Sequence, residues 1–438
     1  MTSRRSGFRR IFLDLTPLRL DRGYRWLWAG QAVNGIGTQV TRLALPYQVY
    51  TLTGSTLAIA GLTLFQLAPL IVFSLGAGTL ADAVDRRKLL RWTQLGLMVC
   101  SAALVLCAIQ PSVPLAFLFG IAFVSSSLAS LDGPARQSSI PRLVAPERLP
   151  AAIALNQVNI QLASVLGPAA AGILIATVGL PAAYLVDTLS FAASLVALNA
   201  IGPLRPLAGA ARPGLAAIRE GLRFAFERRI ILSTYVIDLD AMIFGLPVAL
   251  FPALALDVFH VGPGGLGLLA AALSFGALVG AIFSGWVSRV RRAGLAVIGA
   301  VAVWGVAIIL FGFAEFSFLL ALGCLAIAGA ADVVSAVFRN TIVTEAAPDQ
   351  LRGRISSINL LVVQGGPRLG DIEAAAVASL IGPQAAVISG GVLVLIGLVG
   401  VVRLFPELVG HEREPAVGVR TDPGGPPRPD GAKVERGV

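Results

Sequence analysis

Twelve apolar stretches of about twenty residues follow one another along the chain, at 26–50, 57–80, 90–110, 114–135, 150–176, 182–202, 231–256, 265–288, 294–313, 317–339, 355–380 and 385–405. Each is long enough, as a helix, to cross a hydrocarbon layer of ~30 Å. Lipid offers no partner to a free backbone N–H or C=O, so a spanning segment must be a helix or part of a closed barrel. The period-2 alternation of barrel strands is absent. The sequence therefore predicts an all-α membrane protein with twelve transmembrane helices. Only 13% of residues are charged and 56% are hydrophobic, about half the charge of a soluble domain. A water-soluble enzyme with one buried core is excluded.

The cations record how the chain threads. The odd-numbered connections, at 51–56, 109–114, 177–181, 257–264, 314–316 and 381–384, contain neither Lys nor Arg. The even-numbered ones hold Arg86, Arg87, Lys88 and Arg91, then Arg142 and Arg148, then Arg205 to Arg229, then Arg289, Arg291 and Arg292, then Arg352 and Arg354. Positive loops stay cytoplasmic, which puts both termini in the cytoplasm. The net charge of +10 is then explained by topology and anionic lipid, not by nucleic acid. The basic segment 1–25 reads as a cytoplasmic flank. Its Arg9 and Arg10 do not open an export signal, because Asp14, Arg19, Asp21 and Arg22 interrupt the apolar run that such a signal needs. Segment 406–438, rich in Pro, Gly and charge, reads as a disordered cytoplasmic tail.

The longest connection, 203–230, divides a bundle at 26–202 from a bundle at 231–405, six spans in each. Residues 135–156 match 338–359 in layout: Arg136 pairs with Arg339, Pro146 with Pro348, Leu149 with Leu351 and Asn156 with Asn359, and Gly167-Pro168 then pairs with Gly366-Pro367. Such parallel repeats place a substrate site between the halves near the midplane. Within the linker, 213–230 alternates apolar residues with Arg219, Glu220, Arg223, Glu227, Arg228 and Arg229, as an amphipathic helix on the cytoplasmic interface does.

After the second span stands Gly78-Thr-Leu-Ala-Asp82-Ala-Val-Asp85-Arg86-Arg87-Lys88, and the fifth span carries Gly167, Pro168 and Gly172. The first resembles the loop 2–3 signature of the major facilitator superfamily. The second resembles that superfamily's antiporter motif, with Ala171 in place of the first glycine of its closing pair. Segments 44–55, 132–144, 349–359 and 366–383 are similar to bacterial enterobactin-exporter-like carriers, a branch close to macrolide-efflux proteins. The resemblance covers about 15–405 and implies two pseudo-symmetric six-helix bundles in a bacterial inner membrane. It also implies proton-driven efflux of a sizeable organic molecule, with Gly78, Asp82, Asp85, Arg86 and Arg87 stabilising the outward-facing state. The second-half counterpart of the loop, at Gly285 to Arg292, lacks the acid.

Ionisable residues inside the spans are costly, so each needs a reason. Arg42 in the first span and Arg368 in the eleventh are the basic ones, and they belong to opposite halves. The acids are Asp187, Asp238, Asp240, Asp371 and Glu373, with Asp132 and Asp332 nearer the cytoplasmic ends. Arg42 reads as an anion ligand or as one member of an ion pair. Asp238 and Asp240 point about 200° apart, so both cannot face one cavity; Asp238 is the better candidate for a proton carrier, as a carboxyl in a low-dielectric setting able to reprotonate. Arg368 and Asp371 share a helical face and are expected to pair locally, leaving Glu373 to face elsewhere. Asn34 and Gln157 are cavity-wall candidates. Three cysteines and two histidines, scattered, supply no metal site, and there is no phosphate-binding P-loop. The expectation is a monomeric secondary active transporter of an amphipathic siderophore-like or drug-like compound, coupled to protons. It is not an enzyme and carries no cofactor. A nutrient uniporter or importer on the same fold is the alternative.

Overall fold

The computed structural model describes residues 14–83, 85–110, 112–202, 204, 223–348 and 352–412. Among them every regular element is helical. The long helices, in chain order, are α1 (Arg22–Thr53), α2 (Thr56–Ala83), α3 (Arg86–Ile109), α4 (Leu115–Gln137), α5 (Leu149–Thr177), α6 (Leu180–Asn199), α7 (Arg229–Phe244), α8 (Gly262–Ile282), α9 (Ala293–Phe313), α10 (Phe318–Ala346), α11 (Arg352–Ile381) and α12 (Pro383–Leu404). Ten segments of the described chain are long and apolar enough to cross a membrane, with α7 extended to Val258 among them. The two expected spans outside that set are α1 and α11. They do not lack length, at 32 and 30 residues. They lack apolarity, because they carry the charged and amide side chains discussed below.

Helix ends follow local chemistry. Asp85 caps α3, its carboxylate accepting from the backbone N–H of Arg87 (2.9 Å) and Lys88 (3.4 Å). Ser317 caps α10 through the N–H of Leu320 (3.3 Å). The tight turns use glycine at positive φ: Gly54 (62°) after α1, Gly262 (66°) as the first residue of α8, Gly179 (96°) before α6 and Gly382 (86°) before α12. Gly179 and Gly382 stand 203 residues apart, the same offset as Arg136 and Arg339.

α1 packs on α5 and α6, α2 on α4, and α3 on α4 and α6. Among the later helices, α8 packs on α10, α9 on α10 and α12, and α7 on α11 and α12. The two sets meet chiefly through α5 against α8 and α2 against α11.

The seventh span is broken. α7 stops at Phe244, Gly245–Pro247 interrupts it, and the chain resumes as a 3₁₀ turn (Val248–Leu250), a short helix (Phe251–Ala253) and a π-helical turn (Leu254–Val258). Pro247 has no N–H and disfavours helix in the residue before it. The eighth span is also shorter than expected: α8 ends at Ile282 and Ser284–Arg289 is a 3₁₀ helix. The linker helix expected over 213–230 does not run unbroken to its end. Residues 223–227 are helical, but Arg228 is extended (φ −96°, ψ 98°), which turns the chain into α7. Positions 213–222 lie outside the described residues, as do 1–13 and 413–438.

Candidate functional site: a cavity between the two sets of helices

A cavity of about 510 Å³ lies between α5 and the later helices. Gln161 and Ser164 of α5 form one wall. Asp238 and Met242 of α7, Trp304 of α9, Asp332, Arg339 and Asn340 of α10, and Asn359 and Pro367 of α11 form the others. Trp304 brings an indole N–H with no partner.

The charged centre of this cavity is Arg339. Its Nη2 lies 2.7 Å from Asp238 Oδ1 and 3.7 Å from Asp332 Oδ1, and its Nη1 donates to Ser335 Oγ at 2.9 Å. The Asp238 contact is close but off hydrogen-bond alignment, so it acts as an ion pair. Arg339 and Asp238 are both almost fully buried, while Asp332 is about a third exposed. Asp240 turns the other way, onto Gly397 of α12, as the helical angle between the two acids requires.

Arg136, which matches Arg339 in the repeat, sits on a carboxylate of its own helix. Asp132 Oδ2 meets Arg136 Nε and Nη2 at 3.1 Å, and Asp132 Oδ1 accepts from Thr93 Oγ1 (2.8 Å) and Gln94 Nε2 (3.0 Å). In α10 the position four residues before the arginine is Ser335, and the acid comes from α7 instead. Sequence reasoning paired the two arginines but assigned Arg339 no charge partner. The signal was that serine, standing in one repeat where the other has aspartate.

Arg42 and Arg368 are brought together. Arg42 is exposed. Its Nη1 donates to Gln39 Oε1 (3.1 Å), and Gln39 Nε2 donates to the cavity-wall residue Ser164 (3.3 Å). Arg368 follows the lining residue Pro367. It reaches across to the other set of helices, with Nη1 donating to the Gln66 carbonyl (2.7 Å) and lying 3.4 Å from Ser126 Oγ. The charges of Arg42 and Arg368 act on each other.

The expected local pair between Arg368 and Asp371 is not formed. Instead the Asp371 carboxylate accepts from the backbone N–H of Ala249 at 3.0 Å. The break in the seventh span leaves that N–H without a helical acceptor, and Asp371 supplies one, while Arg368 is drawn to the carbonyl of α2. Glu373 is half-buried. Asn34 is buried and turned to Ser190 of α6, away from the cavity. Gln157 is exposed, one turn from the lining residue Gln161.

The loop before α3 clamps the first set of helices. Arg87 donates to the carbonyls of Leu198 (3.0 Å) and Asn199 (2.7 Å) at the end of α6, and Arg91 bonds Asn199. Arg86 lies 3.5 Å from the Ser138 carbonyl past the end of α4. Cations at helix C-termini satisfy carbonyls that have no helical donor. Gly78 and Asp82 continue the backbone of α2, and their contacts lie outside the described residues.

The glycines of α5 serve close approach. Gly167 packs on Gln39 and on the Ile36 carbonyl of α1. A Cβ at Gly172 would lie 2.8 Å from Gly267 Cα and from the Pro263 carbonyl, and one at Gly267 would lie 2.6 Å from the Pro168 carbonyl. So α5 and α8 cross backbone to backbone, as small residues allow in membranes.

The family model for transmembrane secretion effectors matches residues 13–416. The enterobactin exporter EntS of Citrobacter koseri is 28% identical over 430 residues, covering 96% of this chain and 98% of that protein. EntS of Shigella boydii is 26% identical over 352 residues, covering 79% and 83%. Among solved structures, a bacterial homologue of the human lysosomal transporter Spinster, inward-facing and unoccupied, matches with a TM-score of 0.70 at 14% identity, covering 91% of this chain and all of that one. A POT family transporter in complex with 5-aminolevulinic acid matches with a TM-score of 0.70 at 13% identity, covering 89% and 97%. Aligned with this family over nearly its whole length and built of helices that only lipid can cover, the chain belongs to the transmembrane secretion effectors of the major facilitator superfamily, multi-pass transporters of the bacterial inner membrane and not enzymes.

Proposed function

We propose that this protein exports a siderophore-like or similar amphipathic organic compound bearing anionic groups, in exchange for protons, by rocking two six-helix bundles about the central cavity. The observation that carries the reading is the pair Arg42 and Arg368. These two cations from opposite bundles adjoin the cavity walls, and neither has a carboxylate within ion-pair distance among the described residues. Placing a cation there is costly unless something negative visits it. The names of the relatives, enterobactin exporters, support the direction.

In this reading α1 and α11 cross the membrane with the ten apolar spans, both termini are cytoplasmic, and the chain acts as a monomer. The described hydrogen bonds between the bundles run from the middle of the helices to one end: Arg368 to Gln66 and Ser126, Thr56 to the Ala375 carbonyl (3.0 Å), and Tyr50 to Asp257. With the positive loops inside, that end is the outer one, so the cavity is sealed outward. Asp238 and Asp332 compete for Arg339, which leaves one negative charge over and a place for a proton. The motif before α3 gives the first bundle a rigid cytoplasmic edge, and Gly167, Pro168 and Gly172 shape its contact with α1 and the second bundle.

The test is uptake of a catecholate siderophore into everted vesicles with and without an imposed pH gradient. Gradient-driven loading that falls at least tenfold in Arg42→Ala and in Arg368→Ala supports the proposal. Loading that ignores the gradient removes proton exchange and favours the uniporter. Unchanged loading in both variants removes the anion site.

A further inference from the structure

The cavity leaves one buried acid unused. Asp187, in the second turn of α6, is 3% exposed. Its Oδ2 accepts from Thr41 Oγ1 of α1 (2.7 Å) and Ser101 Oγ of α3 (3.0 Å), and its Oδ1 lies 3.4 Å from Ser190 Oγ. Ser190 Oγ also lies 2.7 Å from the Asp187 carbonyl and 3.3 Å from Asn34 Oδ1, and Ser101 Oγ lies 3.1 Å from the Tyr184 carbonyl. Three helices thus converge on an all-oxygen cluster.

Each hydroxyl has one proton to give. Thr41 and Ser101 spend theirs on Asp187 Oδ2, while Ser190 lies nearer the Asp187 carbonyl (2.7 Å) than Oδ1 (3.4 Å), so no described hydroxyl donates to Oδ1 at close range. The carboxylate is short of positive charge as well. Among the described residues no Lys, Arg or His acts on Asp187. Arg42, next to Thr41 in sequence, turns to Gln39 instead. α5, packed on the same helices, has no ionisable residue. The titratable groups facing this region are the Tyr184 phenol, which donates to Gln48 Oε1 of α1 (2.7 Å), and the Cys107 thiol of α3, and neither supplies a cation. A buried carboxylate with hydroxyl donors but no cation is expensive, and the usual remedies are a paired cation, a bound one or a proton. Only a glycine lets α1 approach this closely: a Cβ on Gly37 would run into Ser190 and lie 3.0 Å from Asp187 Oδ1.

We infer that Asp187, Thr41, Ser101, Ser190 and Asn34 form a binding site for a small monovalent cation, a sodium ion or a proton, inside the first bundle. Hard oxygen donors, one of them anionic, are the donor set that alkali cations and protons share. Thr41 belongs to the cluster while Arg42, the next residue, is linked through Gln39 to the cavity-wall residue Ser164, so α1 connects the cation to the proposed substrate site.

The test needs no substrate, so its failure is distinct from failure of the export reading. The full-length protein in detergent is titrated with NaCl against choline chloride by calorimetry at pH 8, and its infrared spectrum is recorded from pH 5 to 8. The variants are Asp187→Asn, Gly37→Ala and the double change Thr41→Val/Ser101→Ala, the last keeping the carboxyl should the first fail to fold. Saturable sodium binding, weakened at least tenfold in each variant, supports the site as a sodium site. No sodium binding, with a protonated-carboxyl band that disappears in Asp187→Asn and shifts in the double variant, supports it as a proton site. Neither sodium binding nor such a band in the wild type overturns the inference.

Discussion

The arginine at the centre of the cavity is held by two acids at unequal distances, and that inequality sets what removing either acid costs. At an effective dielectric of ~20, unit charges attract by about 6 kcal/mol at the 2.7 Å separation of Arg339 from Asp238, and by about 4.5 kcal/mol at the 3.7 Å separation from Asp332. With one negative charge shared between the two acids, Asp238→Asn leaves that charge on Asp332, so it costs the difference, about 1.5 kcal/mol, and less as Asp332 closes in. Asp332→Asn costs less than about 1 kcal/mol, because the nearer partner remains. The double variant strands a buried guanidinium with Ser335 alone, which costs about 3–5 kcal/mol. The double loss therefore exceeds the sum of the singles by about 0.5 kcal/mol or more, and the excess vanishes when Arg339→Gln is added. The assay is the apparent melting temperature of the detergent-purified protein for all combinations at one pH and salt. Additive single effects, or an excess that survives Arg339→Gln, would refute the idea that one cation is shared.

Other outcomes follow from the geometry. Gly172→Val drives a side chain into the Gly267 backbone and should abolish export and lower the yield of folded protein, whereas Gly323→Ala, with open space around it, should leave both unchanged in the same vesicle assay. Asp371→Ala strands the Ala249 N–H and should cost about 1–3 kcal/mol, while Asp371→Asn keeps an acceptor and should recover most of it in thermal melts. Asp85→Ala removes the cap of α3 and should cost about 1 kcal/mol, again read from the melting temperature. A reporter fused after Val438 should be active on the cytoplasmic side only.

Helix positions were legible because the hydrocarbon requirement is written in runs of apolar residues. The cavity centre was only half legible. Asp238 stood out as a charge in an apolar run and Asp240 could be set aside by helical angle, but the partner of Asp238 sits on α10, and a contact between helices leaves no trace in spacing. Arg368 and Asp371 show the opposite failure. Three-residue spacing announced a pair on one face, yet each side chain found a backbone partner on another helix, one at the α2 carbonyls and one at the break in the seventh span. That break was written in Gly245 and Pro247, and the run of apolar residues around them concealed it. Asn34 read as a wall of the cavity because polarity alone does not say which side of a helix is hollow.

The crossing of α5 over α8 has one more consequence. Surfaces with interlocking teeth must lift apart before they turn, whereas two smooth rods touching at a point can roll. Gly172 and Gly267 make the crossing of α5 and α8 a backbone contact of this second kind, so a change of angle there has few interlocked side chains to disengage.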